Sequence, residues 1–271
     1  MQQITSRVYV ETKRRGANPG FVTTSQGVVM IDTPYRPSDA LMWREEIASR
    51  GEVRYLINTE HHFDHFTGNY FFSGTVVSHQ ETRKRISWVQ VEQVRERIQQ
   101  MGSEELRLVD KYQTRIPAVT FSERMTLYVG DRTFDLIHLP GHTSGQIAVH
   151  IPEERILFTG DNIFYKVQAF LHEADPFQWL QSLKRIEEMD VDVIVPGHGE
   201  ICNRSCIPEL ASFIQDWVDA VRGAIDNGLS KEEAMDKISF LNRYPMDVEL
   251  DAMGPTVQRW NVECLYNILT K

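Results

Sequence analysis

Cysteine is scarce in this chain: three among 271 residues, Cys202, Cys206 and Cys264. A small odd number excludes a disulfide framework. Cys202 and Cys206 are spaced to face each other across one helical turn, but reduced thiols of a cytoplasmic protein are the plainer reading. Basic residues are outnumbered, 29 Lys and Arg against 38 Asp and Glu, for a formal net charge of −9. With no positive excess to neutralise phosphates, the charge argues against a nucleic-acid-binding surface, and a local basic patch stays open. No run approaches the roughly 20 apolar residues of a membrane span. The opening MQQITSRVYV holds no apolar segment of a secretory signal. Linkers rich in Pro, Gly or Ser, internal repeats and low-complexity tracts are also missing. The expectation is one cytoplasmic domain over residues 1–271, with a small molecule as its partner and neither nucleic acid nor membrane.

What is present is an ordinary globular mix, 41% hydrophobic and 25% charged, enough to bury a substantial core. The first half alternates strands and turns. GFVTTSQGVVMIDTP reads as two strands around Ser-Gln-Gly. SDALMWREEIASRG carries apolar residues at helical spacing and ends on glycine, so it reads as a helix. VRYLI and TVVSH are further strands. From about 81 to 116 the pattern is helical and highly charged. Strands return in MTLYVGDRTFDLIHL, GQIAVHI, RILFTGD and VDVIVPGHG, with a helix, DPFQWLQSLKRIEEM, before the last. From about 208 to 271 the chain reads as helical, and Ser230 with Glu233 fits a capping box. The order suggests an α/β protein in which two sheets pack together with helices outside, carrying a helical insert and a helical C-terminal extension.

One stretch does not look like packing. NTEHHFDH, Asn58 to His65, places three histidines, a glutamate and an aspartate within six residues. In an extended loop, Glu60, His62 and Asp64 share one side, while His61 and Phe63 point to the other. His65 follows where the chain turns into a helix. All four of Glu60, His62, Asp64 and His65 suit a borderline or hard divalent metal. Three more such residues stand at the ends of buried strands beside glycines: His142 in LPGHTSGQ, Asp161 in LFTGDN and His198 in VPGHGE. Strand ends with short glycine loops are where α/β proteins place their sites.

Taken in order, EHHFDH, PGHTSG, FTGDN and PGHG resemble the metallo-β-lactamase-fold superfamily. NPGFVTTSQGVVMIDT is similar to that family's first strands, and the likeness spans about residues 4 to 200. The resemblance implies an αββα sandwich of two mixed β-sheets flanked by helices, with two metal ions in a cleft along one edge. It implies that position 60, His62 and His142 hold the first metal, that Asp64, His65 and His198 hold the second, that Asp161 bridges both, and that Asp32 orients the metal loop. The departure is Glu60, where the family usually has histidine. The parity of the loop argues against His61 as a substitute, so Glu60 is taken as a ligand. Zinc is the first choice of cofactor, and the added carboxylate admits manganese or iron.

Such a centre holds two ions about 3.5–4 Å apart with a bridging hydroxide between them. The expected function is a metal-dependent hydrolase of a small-molecule ester, lactone, thioester or amide, in which Asp64 is both ligand and proton shuttle. The alternative, to which the mixed ligation at Glu60 leans, is an iron-dependent oxygen or sulfur redox enzyme on the same fold. A nuclease would want a basic groove, and a β-lactamase proper would want an export signal. Phe164, Tyr165 and His172 are candidates for the substrate rim. His79 is open between a substrate contact and a strand end. His138 and His150 read as structural, and Trp88 as part of a solvated helix, with a roof over the cleft as its alternative role. A homodimer is left open by the helical surface.

Overall fold

The computed structural model describes all 271 residues. Seven strands form the first sheet in chain order: β1 (Gln2–Gln3), β2 (Val8–Val10), β3 (Gly20–Thr24), β4 (Gly27–Ile31), β5 (Val53–Ile57), β6 (Thr75–His79) and β7 (Val119–Phe121). Pairing is antiparallel from β1 to β4 and parallel from β4 to β7. The second sheet comprises β8 (Arg124–Val129), β9 (Arg132–His138), β10 (Ile147–Ile151), β11 (Ile156–Tyr165) and β12 (Val193–Gly199). Its pairings are antiparallel except for β11 with β12. Both sheets are mixed, as expected.

Strand β4 shows why the sheets face each other. Val29 and Ile31 belong to the core between the sheets, with Ile57, Phe134 and Val149. Val28 and Met30, the alternate residues, lie in the outer core with Trp43 and Ile47. A strand buried on both faces must be apolar at every position, and GVVMI is. Helix α1 (Pro37–Ala48) and, in the charged insert, α3 (Gln80–Trp88), α4 (Val91–Gln99) and α5 (Ser103–Arg107) accompany the first sheet; α4 contributes Val94 and Ile98 to that outer core. Helices α6 (Pro176–Glu187), α7 (Cys206–Asp226), α8 (Lys231–Lys237) and α9 (Gly254–Leu269) cover the second sheet. Helix α7 buries Leu210, Phe213, Ile214, Trp217 and Val221, spaced three and four apart on one stripe. Helix α8 starts at the Ser230–Glu233 capping box. No helix is long and apolar enough to cross a membrane.

Cys202 is not helical. It pairs with Ile194 in an isolated bridge, and Cys206 opens α7, their sulfurs 2.8 Å apart as free thiols.

Candidate metal centre

The candidate metal-binding loop is anchored from β4. Asp32, just past the strand, adopts a left-handed backbone with φ of 52°, a conformation that costs a non-glycine residue and so needs local support. Its carboxylate supplies that support. Oδ1 accepts the Thr59 amide at 2.8 Å, and Oδ2 accepts the Thr59 hydroxyl at 2.6 Å and lies 2.9 Å from His65 Nδ1.

The loop is not extended through Asp64, as the parity argument supposed. A short helix, α2 (Phe63–Phe66), begins one residue after His62 and carries Asp64 and His65. The backbone amides released by this turn find Glu60, whose Oε2 accepts the N–H of His61 at 2.6 Å and of His62 at 3.0 Å. Its Oε1 lies 2.6 Å from His62 Nδ1 and 3.1 Å from His65 Nε2. Glu60 therefore holds the turn with one oxygen and presents the other to the cluster, and it is fully buried. His61 stays out of the cluster by binding Glu173 at 2.9 Å.

Asp161 and His198 lie within strands, where the sequence suggested positions just after them. Strand β11 runs on through Asp161 because its pairing with β12 shifts register between Phe158 and Gly160 and again between Gly160 and Phe164. Gly197 is required beside them, since a Cβ there would collide with Asp161 Oδ1. Gly141 is equally constrained, because a Cβ would strike the backbone of Trp179 on α6.

Three groups of ligand-type side chains result, each with donor atoms within 4.8 Å of one another. His61, His62 and Glu173 form one beside the expected site. Glu60, His62, His142 and Asp161, and Asp64, His65 and His198, form the two that hold the expected residues. Asp161 joins them: its Oδ1 is 3.2 Å from His65 Nε2, and its Oδ2 is 3.3 Å from His142 Nε2 and 3.5 Å from His198 Nε2. The outward nitrogens are taken. Asp32 occupies His65 Nδ1, the Phe170 carbonyl occupies His142 Nδ1 at 2.9 Å, and Asp247 occupies His198 Nδ1 at 2.7 Å. The inward nitrogens are thereby directed at the cluster. His65 Nε2 and Asp161 Oδ1 are buried and lack a hydrogen-bond partner. Buried donors of this chemistry, aimed together and unsatisfied, fit divalent metal ions.

Electrostatics agree. Burial works against the charged forms of His65 and His198, yet the nearby Asp161 carries both well above the usual imidazole range. Burial likewise opposes ionisation of Glu60 and Asp161, but the surrounding histidines hold both carboxyls well below theirs. Burial also opposes a charge on His62, but Glu60 lifts it to about 9.

The cluster forms the floor of a cleft of about 750 Å³. On the first-sheet side it is lined by Arg15, Tyr35, Phe63 and Arg97, and on the second-sheet side by Phe170, Leu250, Met253, Trp260 and Ile268. His172 lines the cleft, its ring 5.0 Å from His62, and burial pushes its pKa down to about 3. Phe164 and Tyr165, expected on the rim, do not line it. Phe164 is buried with its ring stacked 5.1 Å from His198, because the continued strand turns it under the floor. Tyr165 faces a small pocket with Cys206, Phe213 and Tyr244. Trp88 is 58% exposed and is not part of the cleft wall. His79 caps α3 and bonds the Ser122 carbonyl at 2.8 Å, so it ends a strand. Sequence reasoning missed Asp247, Glu173, Arg15 and Arg97. Asp247 sits 49 residues beyond its histidine with no local signature.

A family profile described as the metallo-beta-lactamase superfamily matches residues 12–198. The chain belongs to this superfamily. An acyl-coenzyme A thioesterase from Homo sapiens is 28% identical over 236 residues, covering 77% of this chain and 81% of that one. A hydroxyacylglutathione hydrolase from Thermosynechococcus vestitus is 30% identical over 169 residues, 60% of this chain. The match spans 55% of that hydrolase's length and 28% of another so named from Erythrobacter litoralis. Among solved structures, a metallo-beta-lactamase family protein of Thermus thermophilus superposes with a TM-score of 0.72 at 18% identity, covering 98% of this chain and 95% of that one. The fold is therefore the αββα sandwich that the motifs implied, and divalent metals, typically zinc, are the cofactors of the family.

Proposed function

We propose that the chain is a dinuclear metal hydrolase of a small-molecule ester or thioester, with lactones and amides open to the same chemistry. The observation that carries this reading is the division of seven ligand-type side chains into two groups that share Asp161. Glu60, His62 and His142 would hold one ion, Asp64, His65 and His198 the other, and Asp161 both. Zinc is the first choice, and Glu60 admits manganese or iron. When bound, the ions supply a Lewis acid for the acyl oxygen and lower the pKa of an attacking water toward neutrality. The protein's own groups do the rest. Asp32, Asp247 and the Phe170 carbonyl hold the imidazoles in direction. Asp64 lines the cleft and is placed to pass a proton to the leaving group. Thioesters stand first among the substrates because the human relative is named a thioesterase.

The test is metal content of protein purified without added metal, together with turnover of an ester, lactone and thioester panel with and without chelator. Two equivalents of zinc or manganese and chelator-sensitive hydrolysis are expected. Fully metallated protein that hydrolyses none of the panel would sink the reading. The buried carboxylate of Glu60 supports a second reading, iron redox chemistry, which oxidised-iron absorbance without hydrolysis would select.

A further inference from the structure

The arginines around the cleft are unequal. Arg14 pairs with Asp39 at 3.2 Å, Arg36 pairs with Glu249, and Arg85 pairs with Glu173. Arg15 and Arg97 line the cleft itself, and neither is within ion-pair distance of a carboxylate. Arg15 comes from the β2–β3 loop, next to Gly16. An added Cβ on Gly16 would lie 2.7 Å from Tyr35 Cβ and 3.2 Å from Asp64 Cβ, so this loop packs directly on the metal-binding loop. Arg97 reaches over from α4, its guanidinium 4.2 Å from the centre of the Phe63 ring. Arg15, Arg97, Tyr35 and Asp64 all line this one cleft. Arg15 Nε is buried and has no hydrogen-bond partner. A chain with a net charge of −9 has carboxylates available to satisfy such groups, and here it supplies none. A buried unpaired guanidinium nitrogen lacks a partner that the protein does not provide.

The opposite wall differs in kind. Leu250, Met253, Trp260 and Ile268 present apolar surface from the C-terminal segment, with Asn267 and the cationic Lys271 at its end. The acid on that wall, Glu263, is engaged by Lys231 at 3.1 Å.

Resting on the hydrolase reading, we propose that Arg15 and Arg97 form an anion subsite beside Asp64, so that the substrate is an ester or thioester bearing a carboxylate, phosphate or sulfonate at one end and an apolar arm that lies along α9. Two guanidinium groups bind such anions through charge-assisted hydrogen bonds, more strongly in a walled cleft than in open water. The local basic patch that net charge left open is thus inside the site.

Two measurements on the metal-loaded protein test this. The first compares kcat/KM for 4-nitrophenyl butyrate with that for its anionic counterpart, mono-4-nitrophenyl glutarate. Wild type should favour the anionic ester, and Arg15→Gln with Arg97→Gln should cut the anionic-to-neutral ratio by about tenfold or more, through KM. An unmoved ratio overturns the proposal. The second is calorimetric binding of octanesulfonate, a poor metal ligand with an apolar arm, against the neutral 1-octanol. The double variant should weaken octanesulfonate about tenfold relative to octanol, and equal weakening of both overturns the subsite. If neither ester turns over, the hydrolase reading fails, while the binding comparison still decides the anion subsite.

Discussion

At the scale of single residues, the site is decided by which atom each side chain turns inward. His198 offers Nε2 to the cluster because Asp247 holds Nδ1. Removing such a partner typically costs 10–100-fold in metal affinity or activity. Asp247→Ala should therefore lose metal affinity by about that factor with little change in fold, as measured by chelator competition and circular dichroism. Glu60 makes a different prediction, because it does two things at once. Glu60→Ala removes both a candidate ligand oxygen and the acceptor for two loop amides. Glu60→Gln keeps a carbonyl acceptor but loses the charge. Metal content should fall from two equivalents toward one in both, and the alanine variant should also lose thermal stability. Two full equivalents retained in Glu60→Ala would show that the carboxylate is not a ligand. The acceptor role was invisible in the sequence, because it depends on α2 starting at Phe63 and freeing those amides.

Among secondary elements, α6 ties the second sheet's helices to the site. Trp179 is fully buried, donates its indole N–H to the Asn162 carbonyl at 2.9 Å, and places its ring edge-on at 5.4 Å from His142. Trp179→Ala should cost about 3–5 kcal/mol of stability from the cavity it leaves. It should also lower metal affinity, since the PGH loop packs on this helix. Equilibrium denaturation and metal titration of one variant check both, and a destabilised protein with unaltered metal affinity would separate α6 from the site. The helices were readable in the sequence from their apolar spacing and caps: Asp175 and Pro176 start α6, and Ser230 and Glu233 start α8. The course of β11 was not. A strand that shifts register twice and continues through Asp161 has no local pattern, and this continuation is why Phe164 and Tyr165 fall beneath or behind the floor.

For the whole molecule, metal and proton compete for one cluster. His65 and His198 have folded pKa values raised above the unfolded value of about 6.5. Such groups stabilise fully below about pH 6.5, and the contribution is lost as pH rises through their folded values. Glu60 and Asp161 are lowered, so their contribution is present above their unfolded values, about pH 4, and is lost as pH falls through the folded ones. Metal-stripped protein should therefore be most stable in mildly acidic buffer, and its Tm should fall as pH is raised from about 6.5 toward alkaline values. Metal-loaded protein should not show that fall, because a divalent ion binds the deprotonated imidazoles. A parallel fall in both forms would contradict the assignment. At a thousandfold excess of metal over Kd, ligation should add about 4 kcal/mol per site to stability, and thermal melts with and without metal would read it.

Local sequence carried the sandwich and the candidate ligand residues. Strands apolar on both faces must be covered on both faces, and polar clusters set beside glycines at strand ends have no place in a core. Both are properties of residues near one another in the chain. The tertiary structure alone decided what surrounds those ligands. Asp247 meets His198 across 49 residues, Gly16 beside Arg15 packs closely on Tyr35 and Asp64, and the C-terminal helix becomes a wall of the cleft. These meetings are set by how helices and loops pack on the two sheets. Packing answers to shape summed over the whole chain, and no short stretch of sequence records it.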